Sequence, residues 1–541
     1  MPDAVVIGAG PNGLVAANIL ADRGWSVSVH EAAPEPGGAV RSSELIEAGF
    51  VNDLFSAFYP FAFVSPAITS LHLEDYGLRW CRAPLVLAHP AADGTCAVLS
   101  TDLDETAASL DAGYAGDGDA WRRLYDRWTR LRDPLLAALF TPTPPIGASA
   151  RLAWCAWPDG WTRVARFALL SARRMGEEEF GSDAARRLLA GSALHADLSP
   201  EAVLGGFFAW VMCGLGQDLG WPVPEGGSGR LTAALVARLR ARGGEVVCDS
   251  PVERIIVRDR RAVAVRTRGD DVRATRAVLA DVDAPSLYLN LLGPEHLSSK
   301  VIDDVRRFVW DNATVKVDWN LDRPIPWSSE PARRAGTVHV ADSVDALTES
   351  TSALARGLVP AAPFLIMGQQ SMTDPSRMPA GAETAWAYSH VPREIRGDAA
   401  DELRNVGDRS TFDRSGLERF ADRMQREVER LAPGFGASVR GRHVMGPGDL
   451  EARNANLVGG AIGAGTSQLY QQLVFRPVPG LGRPETPIRG LYLASASAHP
   501  GGGVHGACGA NAARVAVAHD RVRRVVAFAK FGAPVPRGHD L

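Results

Sequence analysis

Lysine is nearly missing from this chain: Lys300, Lys316 and Lys530 are the three among 541 residues, and arginine carries almost all of the positive charge. Close cysteine pairs are missing too. Cys81, Cys96, Cys155, Cys213, Cys248 and Cys508 never form a C-x-x-C unit, which argues against a zinc site and a dithiol reductase, so no metal is expected. Scattered thiols fit a reducing compartment. Excess charge of either sign is absent: the net charge is -4, so nothing calls for a nucleic acid partner. The longest apolar run, Ala202–Gly216, has 15 residues including four glycines, short of the ~20 needed to cross a bilayer. An apolar strand begins within the first few residues and leaves no room for a leader, so the expected location is cytoplasmic. No Ser-His-Asp pattern, Walker loop or second nucleotide-binding β-α-β unit is visible.

What is present is a globular composition, 46% hydrophobic and 22% charged, and a specific opening. "AVVIG" reads as a strand buried on both faces. Gly8-x-Gly10-x-x-Gly13 follows, with Pro11 and Asn12 inside the turn; a helical pattern then runs to Gly24, and "SVSVHE" forms a second strand ending in Glu31. Strand, glycine turn, helix, strand and acid together specify dinucleotide binding. Gly8 makes the turn, Gly10 admits a pyrophosphate to the backbone, and Gly13 lets the helix pack on the strand. The helix start offers free N–H groups and partial positive charge. Glu31, eighteen residues beyond Gly13, suits ribose hydroxyls and repels a 2′-phosphate.

The turn alone does not separate FAD from NAD. Downstream lie Gly37-Gly38 and Arg41, which open more backbone and place a guanidinium near the pyrophosphate. At the other end, "GLYLASASAHPGGGVHGACGANAA" reads as strand, glycine loop and helix. A second helix entrance could face the pole of a flavin ring where negative charge builds on reduction. Two such sites favour FAD.

These segments, with "EPGGAVRS", "VNDLFSAFYPF", "SPVERI" and "FRPVPG", resemble the phytoene desaturase-like (phytoene dehydrogenase-related) branch of the FAD-dependent amine oxidase superfamily over nearly the whole chain. The resemblance implies FAD contacts at Gly8, Gly10, Gly13, Glu31, Gly38 and Arg41. It also implies the backbone of Val252 at the adenine, and Gly502, Gly503 and Val504 near the ring. Two departures stand out. Ser495-Ala496 replace the Gly-Asp or Gly-Glu common in the wider superfamily, and "GGAIGAG" places Ala461 and Ala464 where relatives often carry an acid and a histidine.

The expected architecture is α/β: a Rossmann-like, discontinuous FAD-binding domain from 1–70, 221–290 and 440–541, with an inserted α+β substrate domain from 71–220 and 291–439. In the latter, "NATVKVDWNL", "AGTVHVA", "PFLIMGQQS" and "ETAWAYSHV" alternate as strands of an antiparallel sheet with one face on a pocket. "RLAWCAWPDGWTRVARFALLSARR" sets Trp154, Trp157 and Trp161 among arginines. This is read as a helix packed on the second domain; the other reading is a peripheral membrane contact.

Candidates for moving a proton are few. Lys316 resembles a flavin-facing lysine of amine oxidases. His505 sits close to the second helix start, and His499 is read as ordering the loop. Tyr59 and Ser56 are expected beside the flavin, Ser56 as a cofactor contact, and His390 is read as structural. The expectation is an FAD-dependent oxidoreductase (a dehydrogenase, oxidase or desaturase) that takes a hydride from an apolar or amphipathic small molecule. Its electrons pass to O2, a quinone or a protein carrier. The branch resemblance favours a C–C over a C–N bond. The alternatives are a redox-neutral flavin-dependent isomerase and a non-catalytic FAD-holding protein.

Overall fold

The computed structural model describes residues 1–403 and 412–531. The opening segment folds as strand β1 (Ala4–Ile7), helix α1 (Pro11–Asp22) and strand β2 (Val27–His30). Pro11 takes the first helical position, where its missing N–H costs nothing, and Gly24 leaves the helix end at φ +74°. β1 is buried throughout and pairs in parallel with β2 on one side and with Ala277–Ala280 on the other. Leu491–Leu493 and Glu245–Val247 complete a five-stranded parallel sheet. A parallel sheet must be covered on both faces. One face packs on α1, the helix Gly229–Ala241 and the C-terminal helix Ala507–Phe531, through Leu14, Leu235 and Ala513 among others. The other packs on a three-stranded antiparallel sheet, Val252–Arg258, Arg261–Thr267 and Asp271–Arg273, through Ile255 and Val265. The sequence suggests a hairpin extending the main sheet; the structure makes it a separate layer.

The second domain is built on a seven-stranded sheet in the order 439–445, 313–321, 383–391, 365–369, 335–340, 85–90, 96–99. The strand Ala313–Leu321 shows how sequence produces two faces. Val315, Val317, Trp319 and Leu321 turn to the back, against Leu417, Phe420, Met424 and Val428 of the helix Arg414–Leu431. Thr314, Lys316, Asp318 and Asn320 share the front, yet the whole strand is buried. Its partner strand adds His390, Tyr388 and Trp386 to that front, directly opposite Thr314, Lys316 and Asp318. Helices from 103–219 cap the far part of the front with Trp121, Trp128, Trp210 and Met175. This polar and aromatic front faces inward, as expected from the alternation.

One boundary expectation needs correction. Val439–Met445 lies in the substrate sheet, paired with Ala313–Leu321, so the last cofactor piece begins after it. The four strands read from the sequence pair antiparallel as expected, and Leu85–Pro90 adds a parallel neighbour to Ala335–Val340. Strands so far apart in sequence carry no hairpin constraint on their direction.

The start of the C-terminal helix lies directly on the start of α1. A Cβ at Gly509 would come 1.9 Å from the Asn12 carbonyl oxygen, and one at Gly506 would come 2.7 Å from Val15. Gly509→Ala is therefore expected to destabilise the protein by at least about 3 kcal/mol, since backbone must move to admit the methyl. Gly448→Ala, with open space around its Cβ, should leave stability unchanged or slightly raised. Thermal unfolding followed by circular dichroism checks both; equal Tm values for the two variants would contradict the packing described.

Candidate functional site

The glycine turn is a cradle with no room for side chains. Gly8 has φ +91°, and a Cβ there would lie 2.8 Å from the Asp281 carbonyl oxygen. A Cβ at Gly10 would lie 2.7 Å from Asp281 Oδ2, and one at Gly13 would lie 2.2 Å from the Gly8 carbonyl oxygen. Gly38, at φ +55°, stacks on the turn, its Cβ position 3.1 Å from Gly10 Cα, and Gly37 N–H donates to the Ala9 carbonyl at 2.9 Å. Arg41 is tied below. It donates to the carbonyls of Gly38 and Arg453, at 3.1 and 2.7 Å, and pairs with Glu35.

Glu31 closes the far end of the cradle. Its carboxylate accepts from Ala9 N–H at 2.7 Å and Ala33 N–H at 2.9 Å, which aims it across the tips of β1 and β2. Its backbone bonds both Val247 and Ser250, so Val252, at the first position of its strand, lies two residues beyond a direct contact with Glu31. Gly8, Gly10, Gly13, Glu31, Gly37, Gly38 and Arg41 thus gather at one end of the parallel sheet, with Val252 just beyond Glu31.

Asp281, at the end of the neighbouring strand, was not foreseen. Its Oδ2 accepts the Gly13 N–H at 2.8 Å, so a carboxyl occupies the entrance of α1. Burial pushes its pKa up to about 7, with Glu31 repelling in the same direction and the Gly13 bond opposing.

The second glycine loop meets this cradle from the opposite chain end. Gly501 and Gly503 have φ +115° and +109°, and Gly502 and Gly503 are exposed while Val504 is half-buried. The loop leans on "GGAIGAG": a Cβ at Gly502 would come 3.0 Å from the Gly463 carbonyl. Two buried charges shape that support. Asp311 accepts from the N–H groups of Ile462, Gly463 and Gly465 at 2.6–3.0 Å. Arg476, fully buried, donates to the carbonyls of Gly463, Ala464, Thr466 and Ala496, and its guanidinium lies against Gly501. Burial lowers its pKa to about 10. Neither was a sequence candidate, although Arg476 opens the "RPVPG" segment.

The proton candidates sit differently from one another. His505 receives the Ala507 N–H on Nδ1 at 3.0 Å, so Nε2 carries the hydrogen and donates to the Gly501 carbonyl at 3.2 Å. Burial lowers its pKa to about 4, and both nitrogens are engaged in ordering the loop. Tyr59 donates to the Ser56 carbonyl at 2.8 Å and packs in the core, while Ser56 Oγ donates to the Ala39 carbonyl. Tyr59 and His505 thereby act as structure, a correction to their proposed chemical roles. Ser56 is likewise engaged within the protein, its hydroxyl with Ala39 and its carbonyl with Tyr59. Lys316 is buried where the domains meet, donating to the Asp53 carbonyl at 2.9 Å and to Asp318 at 2.6 Å. Burial raises Asp318 to about 6 against the pull of Lys316. Asp53 is itself held by Arg377, which also grips Asp374 and the Pro224 carbonyl.

An extended flavin dinucleotide fits these residues. The cradle excludes every Cβ, the two helix entrances converge, and buried Asn12 Oδ1 and both polar atoms of the Asn511 side chain lack protein partners near that junction. Fold and site together define a two-domain flavoprotein. The chain belongs to the flavin containing amine oxidoreductase family, whose model matches residues 12–348, more than half of its length. It is 28% identical to pyridine nucleotide-disulfide oxidoreductase domain-containing protein 2 of Rattus norvegicus, covering 95% of this chain and 93% of that one. It is 23% identical to a subunit of limonene dehydrogenase from Castellaniella defragrans, covering 96% and 94%. It is 26% identical to the lycopene-forming phytoene desaturase of Pseudescherichia vulneris, covering 54% and 55%. Among solved structures, an oxidoreductase from Methanosarcina mazei shares the fold, with TM-score 0.61, 17% identity and coverage of 95% and 99%. The chain is an FAD-dependent oxidoreductase of the phytoene desaturase-like branch.

Because Asp281 shares the turn built for phosphate, its protonated form suits an anionic ligand. FAD affinity should hold steady below about pH 7 and fall as Asp281 ionises above it. Asp281→Asn, which keeps an acceptor for Gly13 N–H, should retain FAD and lose that decline. Titration of apoprotein by flavin fluorescence across pH checks it; a parallel decline in the variant would clear Asp281.

Proposed function

We propose that the protein dehydrogenates an apolar or amphipathic small molecule at a C–C bond. The observation that carries this is the lining where the front of the substrate sheet meets the second glycine loop. Phe58, Trp386 and Tyr388 form one aromatic group, and Phe61, Phe140 and His505 form another. Phe58, Phe61 and Tyr388 keep part of their surface open although they lie inside the molecule. The charged pair on that front, Lys316 with Asp318, is internally compensated, and the histidines and tyrosine nearby are neutral. Burial lowers His505 to about 4 and His195 to about 3, and it raises Tyr388. An aromatic chamber without a free charge suits an uncharged carbon skeleton better than an ammonium group. The relatives named for limonene and phytoene, both hydrocarbons, support the same reading.

Bound FAD supplies a two-electron sink that accepts hydride. The protein's part is to hold the substrate C–H in line, exclude water and deal with one proton. Forming a C=C bond removes two hydrogens, one as hydride and one as a proton; the electron pair passes later to O2, a quinone or a protein carrier. Of the candidates, the Lys316–Asp318 pair is the one able to share and pass on a proton. Its groups lie 2.6 Å apart, and Asp318 is raised to about 6. We assign the proton to that pair.

Anaerobic mixing of the FAD-loaded protein with terpenoids, carotenoids, acyl compounds and amines is expected to bleach the flavin band with an apolar member and not with amines. Bleaching by amines alone would overturn the C–C assignment. Lys316→Met should keep the flavin spectrum and slow that bleaching by roughly a hundredfold or more; an unchanged rate would remove the pair from the chemistry.

A further inference from the structure

The helical segment after Phe140 packs one side on the second domain and leaves large apolar side chains outside. Ile146, Trp154, Trp157 and Trp161 are 74–81% exposed, and Leu169 is also exposed. In the helices Ile146–Ala156 and Trp161–Leu169 only Ala156 and Phe167 are buried. The segment packs on the second domain, Phe167 against Trp210 with Leu152, Cys155 and Val164 beside it, but the tryptophans face outward together with the arginines. A water-soluble surface rarely presents three large aromatic side chains this way without a partner.

We propose that this face docks on an anionic lipid bilayer, lying on it without spanning it, and opens the route by which an apolar substrate reaches the flavin. Four observations on the molecule select that partner. Tryptophan beside arginine on a short amphipathic helix matches the water–lipid interface, where the ring is half solvated and the guanidinium meets phosphate. Between residues 141 and 171 Asp159 is the one acid, and it is held by Arg127 and Arg130. Arg151 and Arg163 are exposed, with no ion pair among the described residues. A two-fold contact with a second copy would set these arginines against each other with no acid to answer them. No described helix is long and apolar enough to cross a membrane, which fits a surface contact.

The fourth observation is continuity with the site. Phe140 ends the helix Asp117–Phe140 with its ring 5.7 Å from His505 and 6.4 Å from Phe61, centroid to centroid. Six residues later the chain emerges at Ile146. On another segment touching the same loop, Tyr470, Leu473, Val474 and Phe475 are exposed immediately before Arg476, whose guanidinium supports Gly501. Exposed apolar surface therefore adjoins the glycine loop through two separate segments.

The entry route rests on the apolar-substrate reading above; docking does not. The test reads lipid binding without substrate, so the two fail separately. Full-length, FAD-loaded protein is floated with vesicles of phosphatidylcholine alone and of phosphatidylcholine mixed with phosphatidylglycerol. Binding is expected to the anionic vesicles and to weaken with added salt. Trp154→Ser, Trp157→Ser and Trp161→Ser should each lower partition by about tenfold. Reversing Arg151 and Arg163 to Glu should lower it by at least roughly fivefold per residue. Flavin absorbance and Tm should be unchanged in all five. In the unaltered protein, brominated lipid should quench tryptophan emission, which needs no variant. Absence of binding to anionic vesicles, equal partition of the variants, or a dimer that the Trp→Ser changes dissolve would each overturn the proposal.

Discussion

The cofactor domain depends on one contact between two backbones, Gly509 against the carbonyl of Asn12. Each of these glycine-rich helix starts carries partial positive charge. Bringing two such ends together is unfavourable unless something negative lies near both. Asp281, whose carboxyl burial holds toward its protonated form, accepts one N–H there, and an anionic dinucleotide supplies the negative charge. The packing that places α1 on the C-terminal helix thus also creates the reason for the site to bind an anion. It excludes side chains so thoroughly that little but a ligand could relieve the charge.

Where a constraint is local in sequence, it was legible. The turn from Gly8 to Gly13, the acid at Glu31 and the paired glycines at 37 and 38 each follow from a short spacing, and the structure gathers them at one end of the parallel sheet. The alternation in Ala313–Leu321 likewise announced a two-faced strand. What escaped were single charged residues whose partners are remote. Asp281 meets Gly13 across 268 positions, and Asp311 meets the 462–465 loop across about 150. A lone acid at a strand end carries no periodicity to flag it. Arg476 was present in a quoted motif, but its role as a donor to four loop carbonyls exists only once three segments have been folded around it. Exposure of the tryptophans was also illegible, because an amphipathic pattern does not say whether its apolar side meets protein or lipid.

The interface between the two domains is polar and buried. Lys316 with Asp318, the Asp53 carbonyl beneath Lys316, and Arg377 gripping Asp53 and Asp374 make a chain of charges sealed from water. Such chains add little stability over an apolar seam, but they fix geometry, since a misplaced partner strands a charge. A flavin held in one domain and a substrate held by the other need that kind of registration. Val439–Met445 serves the same end. It joins the substrate sheet and hands the chain back to the glycine loops, so the lining of the pocket and the support of the loop are set by one continuous segment.

The order of the chain has a consequence for how the protein is made. The cofactor domain is started by Ala4–Ile7 and is finished by a strand, loop and helix that are synthesised nearly five hundred residues later. Neither domain is contiguous, so neither can close as a unit during synthesis. The nascent chain must wait with its first β-α-β unit unpaired, its apolar strand edges uncovered, until the final helix arrives. Flavin can then be gripped from both sides once the helix Ala507–Phe531 has packed on α1.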